Sequence, residues 1–139
     1  MTLLYNIGRL LESENNFERA IIFYNRILAQ HPAYIDAILR LAVIQIEKGD
    51  FIEADTFLDK AFVIDPKNIE GFLLLGVVSL KKKDYKAAKK AFEKVLQDFD
   101  SHDVFALCAL GNLNVYFARN DPKQVVIINI EGNVLQARL

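Results

Sequence analysis

A chain of 139 residues that is 53% hydrophobic and 25% charged is long enough to bury a core and too apolar to stay disordered. Its net charge of -1 gives no overall pull toward nucleic acid or anionic membrane, and no apolar run nears the ~20 residues a bilayer requires. The single cysteine, Cys108, rules out an internal disulfide and suits a reducing compartment, while Met1-Thr-Leu-Leu-Tyr5 lacks the basic-then-apolar order of a secretory signal, so none is expected.

In chain order, the spacing of apolar residues predicts a helix over 2–14 and a second over 17–30, with the turn Glu14-Asn15-Asn16 between them. Helices over 35–48 and 51–64 follow, joined at Gly49-Asp50, and then 69–82 and 85–98, joined near Lys83-Asp84. Each turn places a short polar residue (Asn16, Asp50, Asp84) where its side-chain oxygen can cap the next helix. The first two pairs close at His31-Pro32 and Asp65-Pro66, since proline lacks an N–H and disfavours a helical residue before it. A seventh helix is expected from about 104 to 118, with Ser101 or Asp103 as its cap.

The helices come in a repeat. Gly8, Ala42 and Gly76 stand 34 residues apart, as do Ala20, Ala54 and Ala88. Phe17, Phe51 and Tyr85 keep the same beat, and so do Tyr24, Leu58 and Phe92, and the pair Pro32 and Pro66. The small residues are expected where the two helices of a pair cross, because larger side chains on both would hold the axes beyond the usual ~8–10 Å. Such a period resembles the tetratricopeptide repeat. It implies an all-α superhelix of helix-turn-helix units, each unable to bury its apolar face alone. Three full repeats (1–34, 35–68, 69–102) and the first helix of a fourth (103–119) are expected, followed by an off-pattern tail over 120–139.

That fourth repeat is irregular. Gly111 follows Gly76 by 35 residues, one too many, and after Pro122 the expected alanine and aromatic are missing. Gln124-Val-Val-Ile-Ile-Asn-Ile130 is instead a β-branched run with strand preference. Two readings stand: an irregular tail at a break in a longer array, or a strand or short helix docked back onto the last repeat.

In repeats of this kind the first helices line a concave face through positions 2, 5, 9, 12 and 13. In the first repeat these are Thr2, Tyr5, Arg9, Glu12 and Ser13. The second and third repeats put Leu39, Val43 and Ile46, then Leu73, Val77 and Leu80, in the middle of the groove. That apolar stretch would suit a protein partner, or else pack within a longer array. With Arg9 alone, it lacks the paired donors of a fork-type carboxylate clamp, which weakens a co-chaperone or stand-alone peptide-receptor role. Lys81-Lys82-Lys83, Lys86, Lys89, Lys90 and Lys94 form a basic cluster that is either a solvated outer face or a contact for an acidic partner. No cofactor, metal or small-molecule substrate is expected, and catalysis has no foothold. His31 and His102 lie far apart, Ser101-His102-Asp103 are too close along the chain to form a relay, and Cys108 among Leu107, Ala109 and Leu110 reads as a buried small apolar residue.

Three stretches narrow the resemblance: Leu3-Leu-Tyr-Asn-Ile-Gly-Arg-Leu-Leu11, His31-Pro-Ala-Tyr-Ile-Asp-Ala-Ile-Leu-Arg-Leu41 and Asp100-Ser-His-Asp-Val-Phe-Ala-Leu-Cys-Ala-Leu-Gly-Asn112. Over residues 3 to about 119 the chain resembles the large tetratricopeptide scaffold subunit of the RNA polymerase II-associated elongation factor complex. The resemblance implies a nuclear, non-enzymatic scaffold that holds the other subunits of that complex and supports elongation and co-transcriptional histone modification. Residues 120–139 depart from it, as expected for a fragment, a fusion or an error in the gene's reading.

Overall fold

The computed structural model describes residues 2–121, 123, 126–128 and 134–136. Among these described residues seven α-helices appear in order: α1 (Thr2–Ser13), α2 (Phe17–Gln30), α3 (Ile35–Lys48), α4 (Phe51–Ile64), α5 (Ile69–Lys81), α6 (Tyr85–Lys94) and α7 (Val104–Asn120). A five-residue π-helical turn, Val95–Phe99, continues α6. Helices α2, α3 and α4 begin and end where the periodicity places them. In the tail, Val126–Ile128 (β1) pairs antiparallel with Val134–Gln136 (β2), Ile127 opposite Leu135. The rest of the 124–130 run lies outside the described residues.

The chain divides into two compact units, Met1–Gly71 and Phe72–Leu139. In the first, α1 packs along α2 and α3 along α4, around a core that includes Leu11, Tyr24, Ile27, Leu41 and Ile44. In the second, Phe92, Val95, Leu96, Leu110, Leu113 and Phe117 form the core, with Phe72, Leu73 and Leu80 packed against it.

The 34-residue period is visible in the backbone. Asn15, Gly49 and Lys83 all have positive φ (57°, 81° and 62°). At each of these turns the following amide reaches back five residues: Asn16 N–H to Leu11, Asp50 to Gln45 and Asp84 to Ser79, at 2.8–2.9 Å. This left-handed stop satisfies carbonyls at the end of the first helix and reverses the chain. The carboxylates of Asp50, Asp84 and Asp103 then accept from the N–H of Glu53, Ala87 and Ala106 at 3.1, 3.2 and 2.8 Å. Asn16 differs from the expectation: its side chain makes no capping bond, and α2 starts on the backbone turn alone.

The small residues set how closely the helices pack. A Cβ built on Gly8 would lie 2.7 Å from the Tyr24 ring, and one on Gly76 would drive into the Phe92 ring. The nearest atoms to both glycines are therefore the aromatic ring of the second helix, one turn beyond the alanine expected there. Size compensates across repeats: glycine goes with Tyr24 and Phe92, whereas Ala42 shares its repeat with the smaller Leu58, and all of these second-helix residues are at most 1% exposed.

The lag at Gly111 also has a structural cause. In the first two repeats the closing bonds are His31 N–H to Ile27 and Asp65 N–H to Ala61, each spanning four residues. The third is Asp100 N–H to Val95, spanning five. One extra residue is therefore taken up in the π turn, and every later landmark falls 35 residues after its counterpart. Tyr34, Asn68 and Asp103, for example, donate to His31, Asp65 and Asp100 in the same kind of turn.

Candidate interaction surfaces

The residues expected to line the concave face fall into two groups. In the first unit, Arg9, Glu12 and Ser13 of α1 meet Arg40, Val43 and Glu47 of α3 around a pocket of about 270 Å³. Arg9 is exposed, and Tyr5 and Val43 are half-buried. Tyr5 stands between Tyr24 and Tyr34, with ring centroids 5.9 and 6.2 Å away. Leu39 and Ile46 are 1% and 7% exposed, so Val43 is the one of the three groove positions on α3 that keeps appreciable surface.

The floor of this pocket holds a network that the sequence did not announce. Glu12, its side chain 8% exposed, accepts from the Tyr24 hydroxyl and pairs with both ends of the Arg40 guanidinium, the Nε contact being 3.0 Å. The pair is the bidentate fork that makes such contacts strong, and it ties α1 to α3 across 28 residues of sequence. Burial, and then the bond to Glu12, pushes the Tyr24 phenol well above the ordinary tyrosine range. The Glu12 contact likewise raises the Arg40 guanidinium, against a burial effect that would lower it. Because the folded value of Tyr24 is raised, its contribution to stability is complete below about pH 10 and is lost as pH climbs above it. Urea midpoints measured between pH 8 and 11 should fall more steeply for the wild type than for Tyr24→Phe.

In the second unit the surface is apolar. Leu80 of α5, Tyr85 of α6 and Phe105, Cys108, Leu113 and Tyr116 of α7 are among the walls of a cavity of about 420 Å³. Leu73, Val77 and Leu80 are half-buried. Phe105, Cys108 and Asn112, which sequence reasoning did not place in a groove, occupy positions 2, 5 and 9 of the fourth repeat once the π turn's extra residue is counted. Cys108 is exposed, not buried as its apolar neighbours suggested, because it projects from α7 away from Leu110 and the core.

The lysines differ in their surroundings. Lys89 is 6% exposed beside Glu93 at 3.6 Å, and Lys94 pairs with Asp98 at 3.0 Å and lies 5.5 Å from the Phe72 ring. Lys81, Lys82, Lys83, Lys86 and Lys90 are exposed. Ser101 Oγ and His102 Nδ1 lie 3.0 Å apart, but the carboxylate of Asp103, which a relay would need, is occupied in capping α7. Among the described residues no three His, Cys, Asp or Glu side chains are grouped to hold a metal, and no helix is long and apolar enough to cross a membrane.

Helical hairpins recurring every 34 or 35 residues, with a small residue on the first helix facing a large apolar one on the second, define a helical-repeat module of the kind that offers surfaces to protein partners. The chain belongs to the tetratricopeptide repeat family, whose models match residues 11–78 and 69–97. It is 36% identical over 124 residues to a protein named CTR9 homolog from Arabidopsis thaliana, and 30% identical over 128 residues to the RNA polymerase-associated protein CTR9 of Saccharomyces cerevisiae. These matches span 89% and 88% of the chain but only 11% and 12% of those relatives. Among solved structures, the Sgt2 tetratricopeptide domain from Aspergillus fumigatus superposes with a TM-score of 0.73 at 23% identity, over 85% of this chain and 80% of that one. The Arabidopsis OM64 tetratricopeptide domain does so with 0.74 at 22%, over 83% and 94%. At those identities they share the fold alone.

Proposed function

We propose that this chain is part of a nuclear scaffold that holds subunits of the RNA polymerase II-associated elongation factor complex together and performs no chemistry itself. Its similarity to a protein named for association with RNA polymerase, over nearly nine-tenths of the chain, supports this reading most directly. The apolar cavity at Leu80, Tyr85 and Phe105 adds a surface of the kind protein partners use. Tyr5, Arg9, Val43, Leu73, Val77 and Leu80 are the proposed contact residues, with Leu39 and Ile46 supporting them from beneath. A stand-alone receptor for acidic C-terminal peptides is less well served, since Arg40 is already committed to Glu12 and leaves Arg9 as the exposed arginine of that pocket.

Affinity purification of the full-length parent protein from nuclear extract tests the proposal. Polymerase-complex subunits should co-purify, and Leu80→Glu should reduce their recovery while leaving helicity unchanged. Purification free of those subunits overturns it.

A further inference from the structure

We propose that the cavity walled by α5, α6 and α7 seats an aromatic side chain from an acidic, internal segment of a partner protein. The repeat builds this place twice. Leu80, Tyr85, Ala109, Asn112 and Tyr116 in its walls are the counterparts of Glu12, Phe17, Arg40, Val43 and Glu47, which line the pocket of the first unit. In the first unit the Arg40 guanidinium reaches across to Glu12, and the pocket measures about 270 Å³. In the second, leucine stands in place of the carboxylate and alanine in place of the guanidinium, and the cavity measures about 420 Å³. The chemistry of the seat is therefore inverted, from a floor of paired charges to an apolar one. The pocket of the first unit stays open although α4 packs along α3. This seat is thus distinct from the face on which a hairpin closes.

The walls point to an aromatic occupant. The Tyr85 and Tyr116 rings stand 4.2 Å apart at 41°, and Phe105 beside them is 52% exposed. A further ring entering there finds the tilted partners that aromatic side chains prefer. Asn112, exposed in the same wall, offers its amide to the backbone of the entering segment. Leu80 and Ala109 give the floor no donor for a terminal carboxylate, so the segment is internal rather than a chain end.

The rim sets the charge. Tyr85 and Tyr116 also line a neighbouring pocket that holds Lys83 and Lys86. Lys81, Lys82 and Lys90, all exposed, extend this basic edge along α5 and α6. Of the acids in that pocket, Asp84 accepts from Ala87 N–H as the cap of α6, and Asp121 stands at the end of α7. An aromatic anchor flanked by carboxylates complements this surface, with the ring in the cavity and the acids toward the lysines.

The inference rests on the reading of this chain as a protein-binding module, but not on which complex the parent protein joins. The chain has no tryptophan, so the acetylated and amidated peptide Glu-Asp-Trp-Asp-Glu reports its own burial. Titrated with the chain or with the full-length parent, its emission should move to the blue and saturate. A peptide with alanine in place of tryptophan should compete about tenfold less well or worse, as loss of a buried aromatic anchor implies. Ala109→Leu should abolish the shift by filling the seat, and Asn112→Phe, at an exposed position, should do the same with the thermal midpoint preserved. Lys83→Glu combined with Lys86→Glu should weaken binding about fivefold at low salt. No shift at about millimolar chain, a shift that survives Asn112→Phe, or equal binding of Lys-Lys-Trp-Lys-Lys overturns the inference. So does a full-length parent that refuses the peptide, which would assign the seat to a segment of its own. Self-association of the chain that Asn112→Phe dissolves overturns it in favour of a second copy. Purification of the parent without polymerase-complex subunits would overturn the elongation role alone and leave the peptide result standing.

Discussion

Replacing Glu12 by alanine is expected to cost the fold about 3 kcal/mol, read as a lower urea midpoint with an unchanged slope. The substitution strands two buried donors at once, the Arg40 guanidinium and the Tyr24 hydroxyl. Arg40 keeps 18% of its side-chain surface, so water reaches one edge and the loss stays below that of a fully enclosed charge. Glu12→Gln retains an acceptor for Tyr24 and should lose about half as much. The other repeats indicate how the site can do without its charges. Ile46 and Leu80 stand at the phase of Glu12, and both are apolar. Glu12→Leu combined with Arg40→Met should therefore lose less than the two single changes added together, with the unpaired Tyr24 hydroxyl as the remaining cost. A double variant whose loss equals the sum of the two single losses would show that Glu12 and Arg40 are not energetically coupled.

Gly76→Ala and Gly111→Ala should move stability in opposite directions although both glycines lie in helices at the same repeat phase. Alanine is favoured over glycine in a helix by about 1 kcal/mol, and at Gly111 nothing opposes that gain. At Gly76 the new methyl meets the fully buried Phe92 ring, which has no room to retreat, and overpacking of this sort costs about 1–3 kcal/mol beyond the helical gain. Thermal melts of the two variants should fall on either side of the wild type. Pairing Gly76→Ala with Phe92→Leu, the combination the second repeat already uses as Ala42 and Leu58, should relieve much of the clash.

The helices were legible because each is fixed by residues close in sequence: the apolar spacing, the Asp50 and Asp84 caps, and the prolines at 32 and 66. The groove was less so. Leu39 and Ile46 carry the same letters as groove-lining residues, and their exposures of 1% and 7% follow from packing that no local pattern reports. Glu12 could be assigned to the concave side, but its partner Arg40 is one full hairpin away and was visible only once α1 and α3 were set beside each other. Cys108 misled for the opposite reason. Apolar neighbours along a helix do not share its direction, and one hundred degrees of rotation separates it from Ala109. The late Gly111 carries the register of the fourth repeat. Counting 35 instead of 34 from Gly76 onward puts Phe105, Cys108 and Asn112 at groove positions.

The π turn at Val95–Phe99 shows how such an array tolerates insertions. The surplus residue is absorbed within a single turn at the end of a second helix, so neither the ring-over-glycine contact before it nor the cap at Asp103 after it is disturbed. Unit length is thus free to drift from one hairpin to the next while the packing rule stays constant. One added residue is housed in a single turn, and the core on either side of it keeps its packing.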